Sequence, residues 1–492
     1  MINFQKIDFT QIIFSLLIVL TVGITLSGSY LPMVDLPQHA AQVATLNDAL
    51  KGESAWREIF DLNFSTPYLL GYFTWLLISQ FFEVVLASRI LVAFIFLLFV
   101  FSTIKLKDTL GATWLVPWIA IPSFFGFCYE WGFVTYLLSI SIGILFFIEN
   151  IKWSNKPTLK GALFVFVFGI FLFYSHILSY LFFCLLSFVF ILYNLSNKKD
   201  VLKIIPVYAL FFCFLLIYIY LGDELGSQYG YGVDVMYHTV SEKIINLMVF
   251  PWSILDKSVI YFSIIFLILP FLMGYSFSRD LKKIIPIFIF LLIWFALPHF
   301  INKTYFIYER YSILFFVFYY LLFDHKKEYF YSKYFKVLFF ILVFYLMLED
   351  YKNIFLAKKE TTDFSEVIEV LPSEKRVLGL IFEPISSSVS IPFTYVHFAS
   401  WYQAQKNGWS DFNFAWFHPQ IVRYKPSKTP EVKPGFEWTP QHVQYLNACD
   451  NYDILIVRAY DISVRHLIEH STCRNYTLSV HHGSWLIFEK NK

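Results

Sequence analysis

The chain has 492 residues, of which 58% are hydrophobic, 21% aromatic and only 15% charged. Soluble domains are typically about 25% charged, so this composition leaves too little polar surface to cover a water-soluble fold. With 59 Phe, 33 Tyr and 13 Trp it is neither disordered nor collagen-like. Its net charge of +2 comes with no basic domain, which excludes a nucleic acid partner. What remains is a multi-spanning membrane protein.

A stretch of about 20 apolar residues crosses the hydrocarbon core as a helix. Such runs lie at 10–30, 65–82, 84–104, 111–127, 131–149, 160–175, 177–193, 204–221, 258–277, 284–299, 309–324 and 335–350. They predict an all-α bundle of 11–13 transmembrane helices. Lys6 precedes the first run and no small-residue cleavage site follows it. The run is therefore expected to stay as a signal anchor.

Lysines and arginines at Lys152/Lys156/Lys160, Lys198/Lys199/Lys203, Arg279/Lys282/Lys283 and Lys326/Lys327 set the orientation. Placed in the cytoplasm, they put Glu130, His176, the loops 31–64, 222–257 and 300–308, and everything after residue 351 on the outer side. Twelve crossings from a cytoplasmic start return the C-terminus to the cytoplasm, one crossing out of step with this pattern. Three successive spans from residue 10 leave Lys105 and Lys107 outside, so either one run in 65–127 does not cross fully or another segment does.

Residues 352–492 are polar, with Pro, His, Trp and Asn throughout. The stretches at 376–382, 452–459 and 484–490 read as buried strands of a small sheet. The segment is expected to be a soluble α/β domain outside the membrane. Cys128, Cys184 and Cys213 sit in or beside apolar runs as small hydrophobes. Cys449 and Cys473 lie 24 residues apart in the soluble part, where an oxidising compartment permits either a disulfide or two thiols.

The residues that could carry chemistry are few. In "GSYLPMVDLPQHAAQVATLNDALKG" (28–52), Pro37 suits a first helical turn and Gly52 a helix end. Asp35 stands where the first span meets this helix, with His39 one turn on. An acid, an amide and an imidazole at the lipid interface suggest an active site; the structural alternative is a capping Asp35 and a solvent-facing His39. Glu130 in "CYEWGFVTYLLS" (128–139) and His176 in "FYSHILSY" (173–180) occupy tight turns, where solvated loop residues are also common. Gly132 permits close backbone approach beside Glu130.

In "LPHFINKTYFIYERYS" (297–312), Arg310 can grip a phosphate bidentately and Lys303 can add a point charge. The alternative is a Glu309–Arg310 pair that snorkels. The loop 222–257, with His238 among its acids, has a lid's composition. The aromatic run Trp401–His418 reads as packing against the membrane part more than as a glycan platform. Asp35 and scattered histidines do not make an octahedral oxygen site, so no metal and no cofactor is assigned.

This arrangement resembles the polytopic glycosyltransferases of the GT-C type that use lipid-carried sugars, among them protein O-mannosyltransferases and lipid A aminoarabinose transferases. Asp35 in "MVDLPQH" stands where that family carries its catalytic acid in the first outer loop. Glu130 resembles the second acid of a later outer turn, and Arg310 the basic residue near the carrier phosphate. The resemblance covers the layout of roughly 1–350 but few motif positions. A paired acid in the first loop is absent, and "FSTPYLLGYF" (64–73) offers one proline where the family has two.

The resemblance implies inverting sugar transfer from a polyprenyl-phosphate donor to an envelope glycan, lipid or protein, in a bacterial inner membrane. Asp35 and Glu130 would be catalytic, with His39, His176, Lys303 and Arg310 binding substrate. The partners implied are the donor and membrane lipids, with no cofactor; no feature specifies an oligomer. Rival readings are a transporter, against which stands the lack of two related halves, and a non-catalytic polysaccharide assembly protein.

Overall fold

The computed structural model describes residues 9–195, 200–226, 234–301, 304–326, 330–446, 449–461, 464, 473 and 475–491. Lys6, Lys198, Lys199, Lys303, Lys327 and the stretch 227–233 lie outside them.

Each apolar run carries a helix. In chain order the helices, those of the loops and C-terminal part included, are α1 (Phe9–Ser27), α2 (Leu36–Lys51), α3 (Leu69–Ser79), α4 (Val84–Leu110), α5 (Leu115–Phe124) and α6 (Phe127–Glu130). Then follow α7 (Val134–Asn155), α8 (Leu159–Phe173), α9 (Ile177–Asn194), α10 (Val201–Gly226), α11 (Val240–Val249) and α12 (Ile260–Leu272). The last five are α13 (Leu281–Ala296), α14 (Phe315–Leu321), α15 (Ser332–Glu360), α16 (Thr362–Val370) and α17 (Ser400–Lys406).

Among the described residues five helices are long and apolar enough to cross a membrane: α1, α4, α7, α9 and the Val201–Tyr220 part of α10. Shorter apolar helices lie between them. In the segment where the crossing count is out of step, α3 and α5 have 11 and 10 residues. Each is about 15 Å long, half a hydrocarbon core.

The membrane bundle is built around α7, which packs between α4 and α9. Small side chains bring the backbones together, as expected where lipid removes the hydrophobic drive between helices. Ser139 and Ser179 share a hydroxyl hydrogen bond of 2.6 Å between α7 and α9. A Cβ at Gly143 would lie 2.0 Å from the Phe183 ring. By contrast α1 presents Leu16 and Val19 at its surface, 62% and 68% exposed, as a lipid-facing helix does. Thr21 ties it to α15 through the Tyr351 hydroxyl at 2.6 Å.

The C-terminal part carries strands at each of the three stretches predicted. A five-stranded sheet has the order Tyr476–His482, Trp485–Lys490, Ile454–Arg458, Arg376–Ile381, Trp409–Asp411. The last two pairings are parallel, and the first two antiparallel. Cys449 and Cys473 are disulfide-bonded beside it, with Cα atoms 5.4 Å apart. α15 runs unbroken across residue 351.

This part sits directly on the first loop. Strand Phe60–Leu62 pairs antiparallel with Val422–Tyr424, and α17 packs along α2. α2 supplies the polar ties: Gln42 Oε1 accepts from the Val422 N–H at 2.8 Å, and Gln403 Nε2 donates to Thr45 Oγ1 at 2.9 Å. Trp401, in the aromatic run read as packing, is buried against Tyr30.

Candidate functional site

Asp35 sits at the N-cap of α2, with Pro37 in the first turn and Gly52 closing the helix in a left-handed conformation at φ 75°. The turn around α6 forms a shelf beneath it. Val34 N–H donates to Glu130 O at 3.0 Å and Asp35 N–H to Trp131 O at 2.9 Å. Gly132 makes this approach possible: its φ is +81°, and a Cβ there would lie 2.8 Å from Leu36 N and 2.9 Å from Asp35 N.

The Asp35 carboxylate accepts no helix N–H. Its Oδ1 lies 3.3 Å from His397 Nε2, in the C-terminal part. Gln38 orients that imidazole. Its Oε1 accepts from Phe414 N–H at 3.0 Å and its Nε2 donates to Phe412 O at 3.2 Å, which fixes the amide's direction. The same Nε2 faces His397 Nδ1 at 3.4 Å. An amide N–H only donates, so Nδ1 accepts and the proton sits on Nε2, pointing at Asp35. Glu437 lies in the field of both groups, and burial holds its carboxyl above the usual range.

His39 is buried instead of facing water. It does not bond Asp35 through its side chain; Nδ1 meets the Tyr72 hydroxyl at 2.8 Å, and that hydroxyl donates to Gln420 Oε1. With the hydroxyl proton so used, His39 Nδ1 is the donor. Burial lowers its pKa to about 4, Arg310 and His397 push the same way, and Asp35 opposes them.

Arg310 and His176 meet at the other side of this group. Arg310 Nε donates to Phe306 O at 3.0 Å and NH2 to Tyr305 O at 3.3 Å, while the guanidinium covers the Phe133 ring at 4.1 Å. His176 caps α9, its Nδ1 accepting from Leu178 N–H at 3.1 Å. The neutral imidazole therefore carries its proton on Nε2. Arg310 NH1 lies 3.2 Å from that nitrogen. Two N–H donors face one another with no acceptor between them, an arrangement that an anion relieves. Tyr68 and Tyr136 wall the imidazole with ring centroids at 5.0 Å.

The fold thus gathers Asp35, His39, His176 and Arg310, from three separate segments. Glu130 contributes its backbone carbonyl to the shelf. Its carboxylate is taken up by Ile254 N–H at 2.6 Å and Ser253 Oγ at 3.4 Å, contacts that involve none of those four side chains. Lys303 lies outside the described residues. His397, Tyr72 and Gln420 were not singled out from the sequence, and Gln38 only as the amide between Asp35 and His39. His397 is a single imidazole in an apolar stretch, and no spacing signal connects it to the first loop.

No protein-family model and no curated protein matches the chain. Among solved structures, ArnT from Cupriavidus metallidurans, crystallised bound to undecaprenyl phosphate, is similar with a TM-score of 0.51. The likeness covers 97% of both chains at 9% identity, and at that identity it is one of fold. The chain is a membrane protein with the fold of that ArnT structure, a helical bundle followed by a small β-containing C-terminal region.

Proposed function

We propose that this chain is an inverting glycosyltransferase that moves a sugar from a polyprenyl-phosphate donor to an acceptor hydroxyl on the outer face of the membrane. The observation that carries the reading is the pair of unshared donors, Arg310 NH1 and His176 Nε2–H, held 3.2 Å apart within the cluster that contains Asp35. They fit the phosphate of a lipid carrier, the group named in the ArnT structure.

In this reading Asp35 is the general base. His397 Nε2–H engages Oδ1, which leaves Oδ2 to take the acceptor's proton. The acceptor oxygen bonds to the anomeric carbon as the bond from that carbon to the phosphate oxygen breaks. The electron pair leaves on the phosphate, where Arg310 and His176 stabilise it. His39, neutral at ordinary pH, offers Nε2 as an acceptor for a sugar or acceptor hydroxyl. Glu130 holds the shelf that places Asp35. The C-terminal region is extracytoplasmic in this scheme and supplies His397.

The test is turnover of purified protein with polyprenyl-phosphate sugars. Asp35→Asn is expected to lower the rate by about 10²–10⁴-fold, and Arg310→Ala to weaken the donor's KM as well as the rate. Full activity in Asp35→Asn sinks the assignment of the base. Absence of turnover by wild type with every donor, with the carrier phosphate still bound, would favour a transport or assembly role.

A further inference from the structure

A second cluster lies one residue from Arg310. His238 follows the strand Val235–Met236, His299 precedes the strand Phe300–Ile301, and Glu309 begins the 3-10 turn Glu309–Leu314. The short sheet formed by Val235–Met236, Phe300–Ile301 and Thr304–Tyr305 brings them together, with His299 N–H donating to Met236 O at 2.8 Å. The two imidazoles stack with centroids 4.0 Å apart, and both Nδ1 atoms face Glu309 Oε1. His299 Nδ1 bonds that oxygen directly.

His238 does not, and the reason is legible in its hydrogen bonds. Asn246 Nδ2 donates to the Tyr308 hydroxyl at 2.7 Å, and that hydroxyl faces His238 Nδ1 at 2.8 Å. That hydroxyl has two lone pairs and one proton, so it satisfies Nδ1 either as donor or as acceptor. Nδ1 itself stands 3.6 Å from Glu309 Oε1. Glu309 is 1% exposed and its Oε2 has no partner. Two imidazole nitrogens and a buried carboxylate converge here, where Arg310 and His176 bring together two donors. Lys243, the nearby cation, is bonded to the Trp294, Phe295 and Leu297 carbonyls.

We propose that His238, His299 and Glu309 bind one divalent transition-metal ion of the Zn²⁺ type. One ligand atom from each lies within 4.8 Å of the others. In a tetrahedral site with bonds of about 2.1 Å, ligands stand roughly 3.4 Å apart, close to the 3.6 Å already present between His238 and Glu309. Two imidazoles and one carboxylate suit zinc over the harder Mg²⁺ or Ca²⁺. For both Nδ1 atoms to ligate, each imidazole carries its proton on Nε2, any further proton leaves to solvent, and Glu309 stays an ionised carboxylate. Three protein ligands leave a fourth position open. The ion would clip the 235–238 strand to the 299–309 loop, and so fix Phe306, whose carbonyl holds Arg310. The site does not depend on the sugar-transfer reading.

The test uses full-length protein, stripped with a chelator and titrated with Zn²⁺ alone against a chromogenic competitor. One tight equivalent per chain and a higher unfolding temperature are expected. His299→Ala and Glu309→Gln should each weaken binding by 10-fold or more and abolish the thermal shift, whereas a His481→Ala/His482→Ala variant should keep both. Unfolding of each variant in chelator checks that it folds; His238→Ala, on the more exposed strand end, serves if the buried Glu309 variant does not. Zinc bound equally by wild type and the His238 and His299 variants, loss of binding in the His481/His482 variant, or Mg²⁺ matching Zn²⁺ would each overturn the site.

Discussion

His39 shows how a single side chain is committed by its surroundings. Burial lowers its pKa to about 4 from the ordinary 6.5, with Arg310 and His397 adding to the effect and Asp35 opposing it. The unfolded chain therefore binds a proton there at a pH where the folded chain does not. Stability from this group is whole above about pH 6.5, falls as pH drops toward 4, and levels off below that, a loss of roughly 3 kcal/mol. His39→Gln is expected to flatten this part of the stability–pH curve, measured as the unfolding midpoint between pH 7 and 4. An unchanged slope in the variant would show that His39 is not the titrating group. The neutral state also matters for chemistry, because a charged imidazole cannot offer Nε2 as an acceptor.

At the scale of elements, the contact between α2 and the α6 turn decides where Asp35 stands. Gly132 is the narrow point, because its left-handed φ of +81° and the 2.8 Å and 2.9 Å approaches to Leu36 N and Asp35 N both forbid a side chain. Gly132→Ala is expected to cost about 1–3 kcal/mol through strain and overpacking, read as a lower unfolding midpoint. If Asp35 is the base as proposed, sugar transfer should fall further than stability does, because the shelf moves it. A variant with normal stability and normal turnover would show that the shelf does not position Asp35. α2 was predictable from Pro37 and Gly52 because both ends are local signals. Its two buried glutamines were not: Gln38 and Gln42 are polar because they bond backbone groups of the C-terminal region, partners far along the chain.

For the whole molecule, the proposed base and its partner come from opposite ends of the sequence. Asp35 and His397 meet only because the C-terminal region docks on α2. A double-mutant cycle tests that coupling: Asp35→Asn combined with His397→Ala should be hardly worse than Asp35→Asn alone, since a positioning residue has nothing left to position. Fully additive losses would mean that His397 acts elsewhere. Removing His397 alone should lower kcat more than it changes the donor's KM.

The sequence by itself determined what local patterns can carry. Long apolar runs became helices, β-rich stretches became strands, and Asp35, His39, His176 and Arg310 stood out because ionisable groups are rare in an apolar chain. Runs of apolar residues record burial but not helix length, so the short α3 and α5 were not evident. The tertiary structure alone decided the pairings. It turned His176 Nε2 toward Arg310, gave the Glu130 carboxylate to Ile254, brought His397 to Asp35, and closed His238, His299 and Glu309 into one group. Each of these depends on contacts between segments with no common period or spacing, and hydrogen-bond direction, which assigns every proton in the site, exists only once those segments meet.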